Sequence, residues 1–132
     1  MLDIKGLTKI FSPGTINEKT ALDHVDLSLA SGDFVTIIGS NGAGKSTLMN
    51  CIAGVHSVDE GTIMLDGQDI TRLPEHKRAK QIGRVFQDPL KGTAFDMTVE
   101  ENLSIAYNKN RSRGLQRGIN RKDRELFREK LR

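Results

Sequence analysis

The sequence predicts an α/β fold, and three adjoining observations carry that prediction. Phe34-Val35-Thr36-Ile37-Ile38 is apolar except for one β-branched Thr, which is how a parallel strand buried on both faces reads. A glycine-rich stretch follows at once, Gly39-Ser40-Asn41-Gly42-Ala43-Gly44-Lys45-Ser46-Thr47. Behind it an apolar helix is expected from Lys45 to Ala53, stopped by Gly54.

The remaining elements follow in chain order. Leu2, Ile4 and Leu7 alternate with polar neighbours, so a first strand is expected over 2–8. Ser12-Pro13-Gly14-Thr15 opens a loop. Over 21–29 the alternation resumes with Leu22, Val25, Leu27 and Leu29 inward, and Ser31-Gly32-Asp33 turns the chain into 34–38. Past the first helix, Asp66-Gly67 sits between Thr62-Ile63-Met64-Leu65 and Gln68-Asp69-Ile70, the pattern of a small hairpin. Pro74 suits the first turn of a short polar helix ending near Lys80. Residues 82–86 read as another strand. Thr98-Val99-Glu100-Glu101 is a capping box opening a helix toward Tyr107. Residues 110–118 form a basic, glycine-containing connector, and Asn120 can cap a last helix. Its apolar pattern (Leu126, Phe127, Leu131) is still running at the last residue, so a truncated chain is expected.

Composition bounds the function classes. With 132 residues, 36% hydrophobic and 28% charged, the chain suits one soluble domain with a modest core. No apolar run approaches the roughly 20 residues of a membrane helix, and the N-terminus lacks a basic-then-apolar export pattern. A cytoplasmic location is the default. Cys51, the single cysteine, lies in an apolar stretch and reads as a small buried hydrophobe. Charge is uneven: residues 108–132 hold ten basic and three acidic side chains, while residues 1–107 hold ten basic and fourteen acidic. Such a run can meet phosphate or lipid headgroups, but the plainer reading is a solvated helical face.

The glycine-rich stretch fits G-x-x-x-x-G-K-[ST], and each position has a physical reason. Glycines allow positive φ and remove Cβ atoms, so backbone can wrap closely around a phosphate. The loop N–H groups then form a nest, and the helix beginning near Lys45 adds its positive dipole end. Lys45 can reach outer phosphates as a point charge. The Ser46 hydroxyl suits Mg²⁺, which prefers hard oxygens, and Thr47 suits an outer phosphate oxygen. A Gly-rich turn before a helix is the bland alternative; a buried strand before the motif and an apolar helix after it argue for a nucleotide site.

With this loop in place, the sequence resembles the nucleotide-binding domain of ABC transporters, the P-loop NTPases of ABC type. Four further features carry the resemblance: Ala21-Leu22-Asp23-His24-Val25-Asp26-Leu27-Ser28-Leu29 leading into Ser31-Gly32-Asp33-Phe34; Gly61-Thr62-Ile63 with Asp66-Gly67-Gln68-Asp69-Ile70; Ile82-Gly83-Arg84-Val85-Phe86-Gln87-Asp88-Pro89, similar to the family's Q-loop; and Met97-Thr98-Val99-Glu100-Glu101-Asn102-Leu103, similar to the start of its helical subdomain. The resemblance implies a mixed sheet with an N-terminal antiparallel β subdomain, truncated here. It divides the chain into 1–107, the N-terminal part of the ATPase domain, and 108–132, a basic connector and incomplete helix.

The resemblance also implies roles. Phe11 falls where the family places an aromatic against adenine. Gly39, Ser40, Asn41, Gly42, Ala43, Gly44, Lys45, Ser46 and Thr47 hold the phosphates of ATP. Ser46 and Gln87 hold Mg²⁺, and Lys45 and Gln87 act in catalysis. Gln87 also senses a membrane subunit, with residues 88–98 as the face that meets it. A transmembrane permease, a second ATPase subunit docked head to tail and, indirectly, an extracytoplasmic binding protein are the implied partners; nucleic acid is not. The location implied is the inner face of the cell membrane. Residues 15–20 and Gly92-Thr93-Ala94 resemble bacterial importer ATPases working with a lipoprotein-type binding protein, with amino acids, aromatic ones among them, as the suggested cargo.

Three family features are missing: the LSGGQ-type helix start, the apolar strand with its Mg²⁺-coordinating Asp and catalytic Glu, and the switch histidine. His24, His56 and His76 stand elsewhere and read as structural or surface residues. This chain alone is therefore expected not to hydrolyse ATP. Two other readings stay open: an ABC ATPase of soluble function, and a stand-alone non-hydrolysing nucleotide-binding module.

Overall fold

The computed structural model describes residues 1–109 and 119–131, so the expected connector over 110–118 lies outside the described residues. The chain forms two compact units, Met1–Ile82 and Gly83–Arg132.

In the first unit, β1 (Leu2–Phe11), β2 (Lys19–Leu29), β3 (Glu60–Leu65) and β4 (Gln68–Asp69) form one sheet in the order β2-β1-β3-β4. Every pairing in it is antiparallel. Helix α1 (Lys45–Ala53) lies between β2 and β3 in sequence, and α2 (Glu75–Arg78) follows β4. Ile4, Leu7, Leu22, Leu48, Cys51, Ile63 and Ile70 make the core, so α1 and the sheet share one apolar cluster. Removing this surface from water stabilises the unit by about 25 cal/mol per Å² of apolar area. Cys51 is fully buried, and burial pushes its thiol pKa up, as fits a packing residue.

Leu22 and Val25 both turn inward although three residues apart, where strict alternation would put them on opposite faces. The strand accommodates this through a bulge: β1–β2 register shifts between Leu7 and Lys9, and His24 takes φ 47°. Its N–H donates to Thr8 Oγ1 at 3.2 Å, and the exposed ring pairs with Asp23 at 2.6 Å. The Asp66-Gly67 turn has φ 48° and 79° at its two central residues, as the tight primed hairpin turn requires.

Two expected strands are absent. Residues 34–38 form no strand; Phe34 is 95% and Ile38 89% exposed, while Ile37 packs against the core. Residues 82–86 likewise form none: Ile82 touches the core and Val85 is 97% exposed. The physical reason is partnership. A run apolar on both faces states what environment it needs, but a ladder needs neighbouring strands, and no described segment pairs with either run. Pro74 also sits one step earlier than expected, as the N-cap of α2.

In the second unit, Asp88 accepts from Leu90 N–H at 3.0 Å and caps a 3₁₀ turn at Pro89–Gly92. Helix α3 (Val99–Asn108) opens with the expected capping box: Glu101 N–H donates to Thr98 Oγ1 at 3.3 Å, and Thr98 N–H donates to Glu101 Oε2 at 2.8 Å. The bond from Thr98 N–H, then one from the Thr98 hydroxyl at 2.8 Å, hold the Glu101 carboxyl below its usual pKa. Helix α4 (Arg121–Lys130) is capped by Asn120 in the same manner. Phe127 of α4 meets Tyr107 of α3 edge-on, centroids 5.9 Å apart, and Arg124 donates to Glu100 at 2.6 Å. Arg121, Lys122, Arg124, Arg128 and Lys130 are exposed, giving α4 a solvated basic face. Among the described residues no helix is long and apolar enough to cross a membrane.

Candidate functional site

The glycine-rich loop stands where α1 begins, and local geometry explains its composition. Gly42 and Gly44 have φ of 85° and 84°, in the left-handed region that favours glycine. Gly44 is fixed twice over, because a Cβ there would come 2.5 Å from the carbonyl oxygen of Ala21 on β2. The loop therefore rests directly on sheet backbone. Its other end is anchored by Leu48 and Cys51, both buried in the core.

The helix N-terminus is open. Gly44 is the N-cap and offers no side-chain acceptor, and no acidic residue lies in the first turn of α1. The first-turn N–H groups are thus left for another acceptor, and the helix dipole adds positive potential there. Lys45 folds back over the loop, its Nζ donating to Gly39 O at 2.5 Å and Ser40 O at 2.6 Å. A Cβ built on Gly39 would lie 3.3 Å from Ala43 Cβ and 3.9 Å from Lys45 Nζ. Any side chain at 39 would thus enter the space that the loop and the ammonium enclose. Open amides, a cation and a loop without a side chain at Gly39 fit a phosphate group. Ser46, exposed beside them, offers a hydroxyl oxygen of the hard type magnesium takes.

Phe11 ends β1. Its ring meets His56 edge-on at 5.3 Å, and Lys9 Nζ lies 5.6 Å from its centroid. Asp59 ties this corner down: it accepts from Ile10 N–H at 2.6 Å and pairs with Lys9 Nζ at 3.1 Å. The bond from Ile10, then the lysine charge, hold its carboxyl below the usual range. His56 in turn contacts Asn50 of α1, ring Nε2 to Nδ2 at 3.3 Å. The expected base-stacking residue and the phosphate-loop helix are therefore connected through His56, which has a structural place, as expected. Gln87 belongs to the second unit and is exposed, one residue before the Asp88 cap and one after Phe86, whose ring carries Arg84 at 4.7 Å.

Sequence reading missed Arg78. It is 3% exposed, and its guanidinium donates to four backbone carbonyls: Leu73 at 2.7 Å, Cys51 at 2.7 Å, Ile52 at 3.0 Å and Thr71 at 2.9 Å. Two of these acceptors are among the last carbonyls of α1, so Arg78 satisfies the end of the helix whose start is the phosphate loop. Desolvation lowers its pKa from the ordinary arginine value, which lies so far above neutrality that the group stays charged. Gly54 makes room for it, since a Cβ there would meet Arg78 Nε at 2.9 Å. A glycine directly after a helix, followed by an arginine in a short polar helix, was the only signal available.

Known proteins of the same build include a tyrosine transport ATP-binding protein of Clostridioides difficile (strain R20291), 44% identical over 96% of this chain and 50% of its own length. The methionine import ATP-binding protein MetN of Corynebacterium glutamicum is 43% identical over 65% of this chain and 25% of its own. The chain thus spans half or less of the length of these curated relatives. Among solved structures, the dimeric post-hydrolysis state of the ATP-binding cassette MJ0796, bound to ADP and Pi, superposes with a TM-score of 0.79 at 29% identity, covering 99% of this chain and 56% of that one. A nucleotide-free ATP-binding cassette from an ABC transporter gives 0.68 at 34% identity, covering 98% and 46%. The α/β cassette fold expected from the sequence is therefore the right one, even though two expected strands are unformed among the described residues. A model of the family described as ABC transporter matches residues 22–131, from the strand that supports the loop to the last described helix, and the chain belongs to that family.

Proposed function

We propose that the chain is the nucleotide-binding front part of an ATP-binding subunit that energises an ABC membrane importer by binding and hydrolysing ATP. One observation carries this reading: the loop at 39–47 offers open helix N–H groups, glycines at positions 39, 42 and 44, and the Lys45 ammonium folded back over it. The tyrosine transport relative supports a transport role, and the methionine import relative supports import as its direction. They also support amino acids, aromatic ones first, as cargo.

In this reading residues 39–47 bind the phosphates, and Phe11 supports the base. The Ser46 hydroxyl would offer an oxygen to magnesium, which would neutralise phosphate charge, and Gln87 is proposed as a further metal-binding and catalytic residue. Residues 1–107 are the N-terminal part of the ATPase domain, and 108–132 a connector and the start of a further helix. The face meeting the permease is 88–98, where Leu90, Phe95 and Met97 are exposed. Asn102 stiffens that segment by bonding Ala94 N–H at 2.8 Å, Ala94 O at 2.9 Å and Met97 O at 3.2 Å. The longer protein pairs head to tail with a second copy on the inner face of the cell membrane, and an extracytoplasmic binding protein delivers cargo.

Phosphoryl transfer needs a positioned water, metal held on more than one side and stabilisation of transferring charge. Lys45, Ser46 and Gln87 supply only part of this, so the 132-residue chain by itself is proposed not to turn over ATP. Its steady phosphate release should equal that of Lys45→Ala; release well above that control contradicts the proposal. In the longer protein with its permease, Lys45→Ala should abolish uptake, and unchanged uptake would overturn the reading. Asp96→Lys should impair uptake more than ATP binding; if cross-links from 88–98 never reach the permease, the docking assignment is wrong.

A further inference from the structure

The inference here rests on the proposal that residues 39–47 bind nucleotide phosphates. Lys19 opens β2, and its partner across the sheet is Phe11. Its ammonium reaches the glycine loop: a Cβ built on Gly42 would lie 3.9 Å from Lys19 Nζ, with no other non-neighbouring heavy atom within 4 Å. Lys45 approaches the same loop from the helix side, bonded to Gly39 O and Ser40 O. Two ammonium groups therefore flank one short loop.

Lys19 makes no ion pair among the described residues. The adjacent carboxylate is occupied elsewhere, Glu18 accepting from Gly14 N–H at 2.6 Å. The loop itself carries positive potential from its amides and the start of α1. A second cation beside such a loop, with no carboxylate paired to it among the described residues, adds to a positive potential that suits an anion.

We infer that Lys19 is a second phosphate-binding cation of the loop, taking a nucleotide's polyphosphate from the β1–β2 side while Lys45 takes it from the helix side. An ammonium on a flexible stem is a point charge without preference for a base. Lys19 therefore strengthens binding of any nucleoside triphosphate equally, and discrimination between bases falls to the neighbouring Phe11.

The test is calorimetric titration of Mg-ATP and Mg-GTP into the 132-residue chain and its variants Lys19→Gln, Lys19→Arg and Lys19→Glu, with Lys45→Ala as reference. Lys19 is exposed, so these variants keep the parent's circular dichroism. Lys19→Gln should weaken both nucleotides by the same factor, about two- to fivefold at low salt, the range of an exposed ionic contact. Lys19→Glu should weaken them further, Lys19→Arg should bind like the parent, and the differences should shrink at high salt. Parent-like binding by Lys19→Glu overturns the inference, as does a loss confined to ATP, which would make Lys19 a base contact. If Lys45→Ala loses binding while the Lys19 variants do not, the phosphate-loop reading stands and only Lys19 falls. If Lys45→Ala binds like the parent, both fall together.

Discussion

The cluster around Ile4, Leu7, Leu48 and Cys51 is completed within the chain, whereas Phe34, Val35 and Ile38 stand exposed and only Ile37 of that apolar run packs against the core. The two regions adjoin, with the phosphate loop between Ile38 and α1. What separates them is where their partners come from. Strands β1 and β2 are joined by a short loop and pair antiparallel, and α1 packs onto the sheet that follows and precedes it. Residues 34–38 and 82–86 have parallel-strand composition and need neighbours that no described segment supplies. The loop is therefore held from its helix side and from β2, through Gly44 against Ala21.

This comparison can be broken most severely at Arg78. Arg78→Met takes one donor from each of four carbonyls, while Cys51 O keeps its bond from Gly54 N–H, and should cost about 3 kcal/mol or more, read as a lower urea midpoint with an unchanged slope. A loss below about 0.5 kcal/mol, the range of ordinary surface substitutions, would mean that the helix end is not held this way. Gly44→Ala comes next. It forces a strained φ and a contact with Ala21 O, at a cost of about 2 kcal/mol, and Mg-ATP binding should fall together with stability. Full retention of both would show that the loop does not rest on β2.

Acid sharpens the comparison at the Phe11 corner. Asp59 has its pKa lowered on folding by the Ile10 N–H and by Lys9. Its contribution is therefore fully present above the unfolded value of about 3.9 and lost as pH falls through the folded one. Asp59→Asn should lower stability at neutral pH and flatten the acid limb below about pH 4. A parallel limb in the variant would remove Asp59 from the account. Smallest of all should be Phe34→Ser and Ile38→Ser. In this chain both positions are exposed, so each should change stability by less than about 0.5 kcal/mol. In a chain extended to the length of the relatives it matches, where added strands are proposed to bury these positions, the same changes should cost about 2–5 kcal/mol. Equal effects in both would erase the contrast between the regions.

The same contrast explains what was legible in the sequence. The loop, the stop of α1 at Gly54, the Asp66-Gly67 turn, the capping box at Thr98 and the cap at Asn120 were readable because each is specified within a few residues. The bulge at His24 was legible only as a hint, in the three-residue step from Leu22 to Val25. Arg78 was not legible, since four carbonyls from separated segments converge on it only after folding. Residues 34–38 misled for the opposite reason: their composition states a burial that depends on strands outside the segment. Within the site, the loop residues stood out by pattern and Phe11 only through the family resemblance, while Lys19 did not, because its relation to Gly42 exists only once the β1–β2 hairpin has formed.

The central claim is that residues 39–47 form a nucleotide site in the described fold. Calorimetric titration of Mg-ATP into the 132-residue chain and into Lys45→Ala tests it most directly. The account predicts saturable, one-to-one binding that weakens by about 10- to 100-fold in the variant, as loss of a charged hydrogen-bond donor implies. Binding of equal strength in both would contradict it.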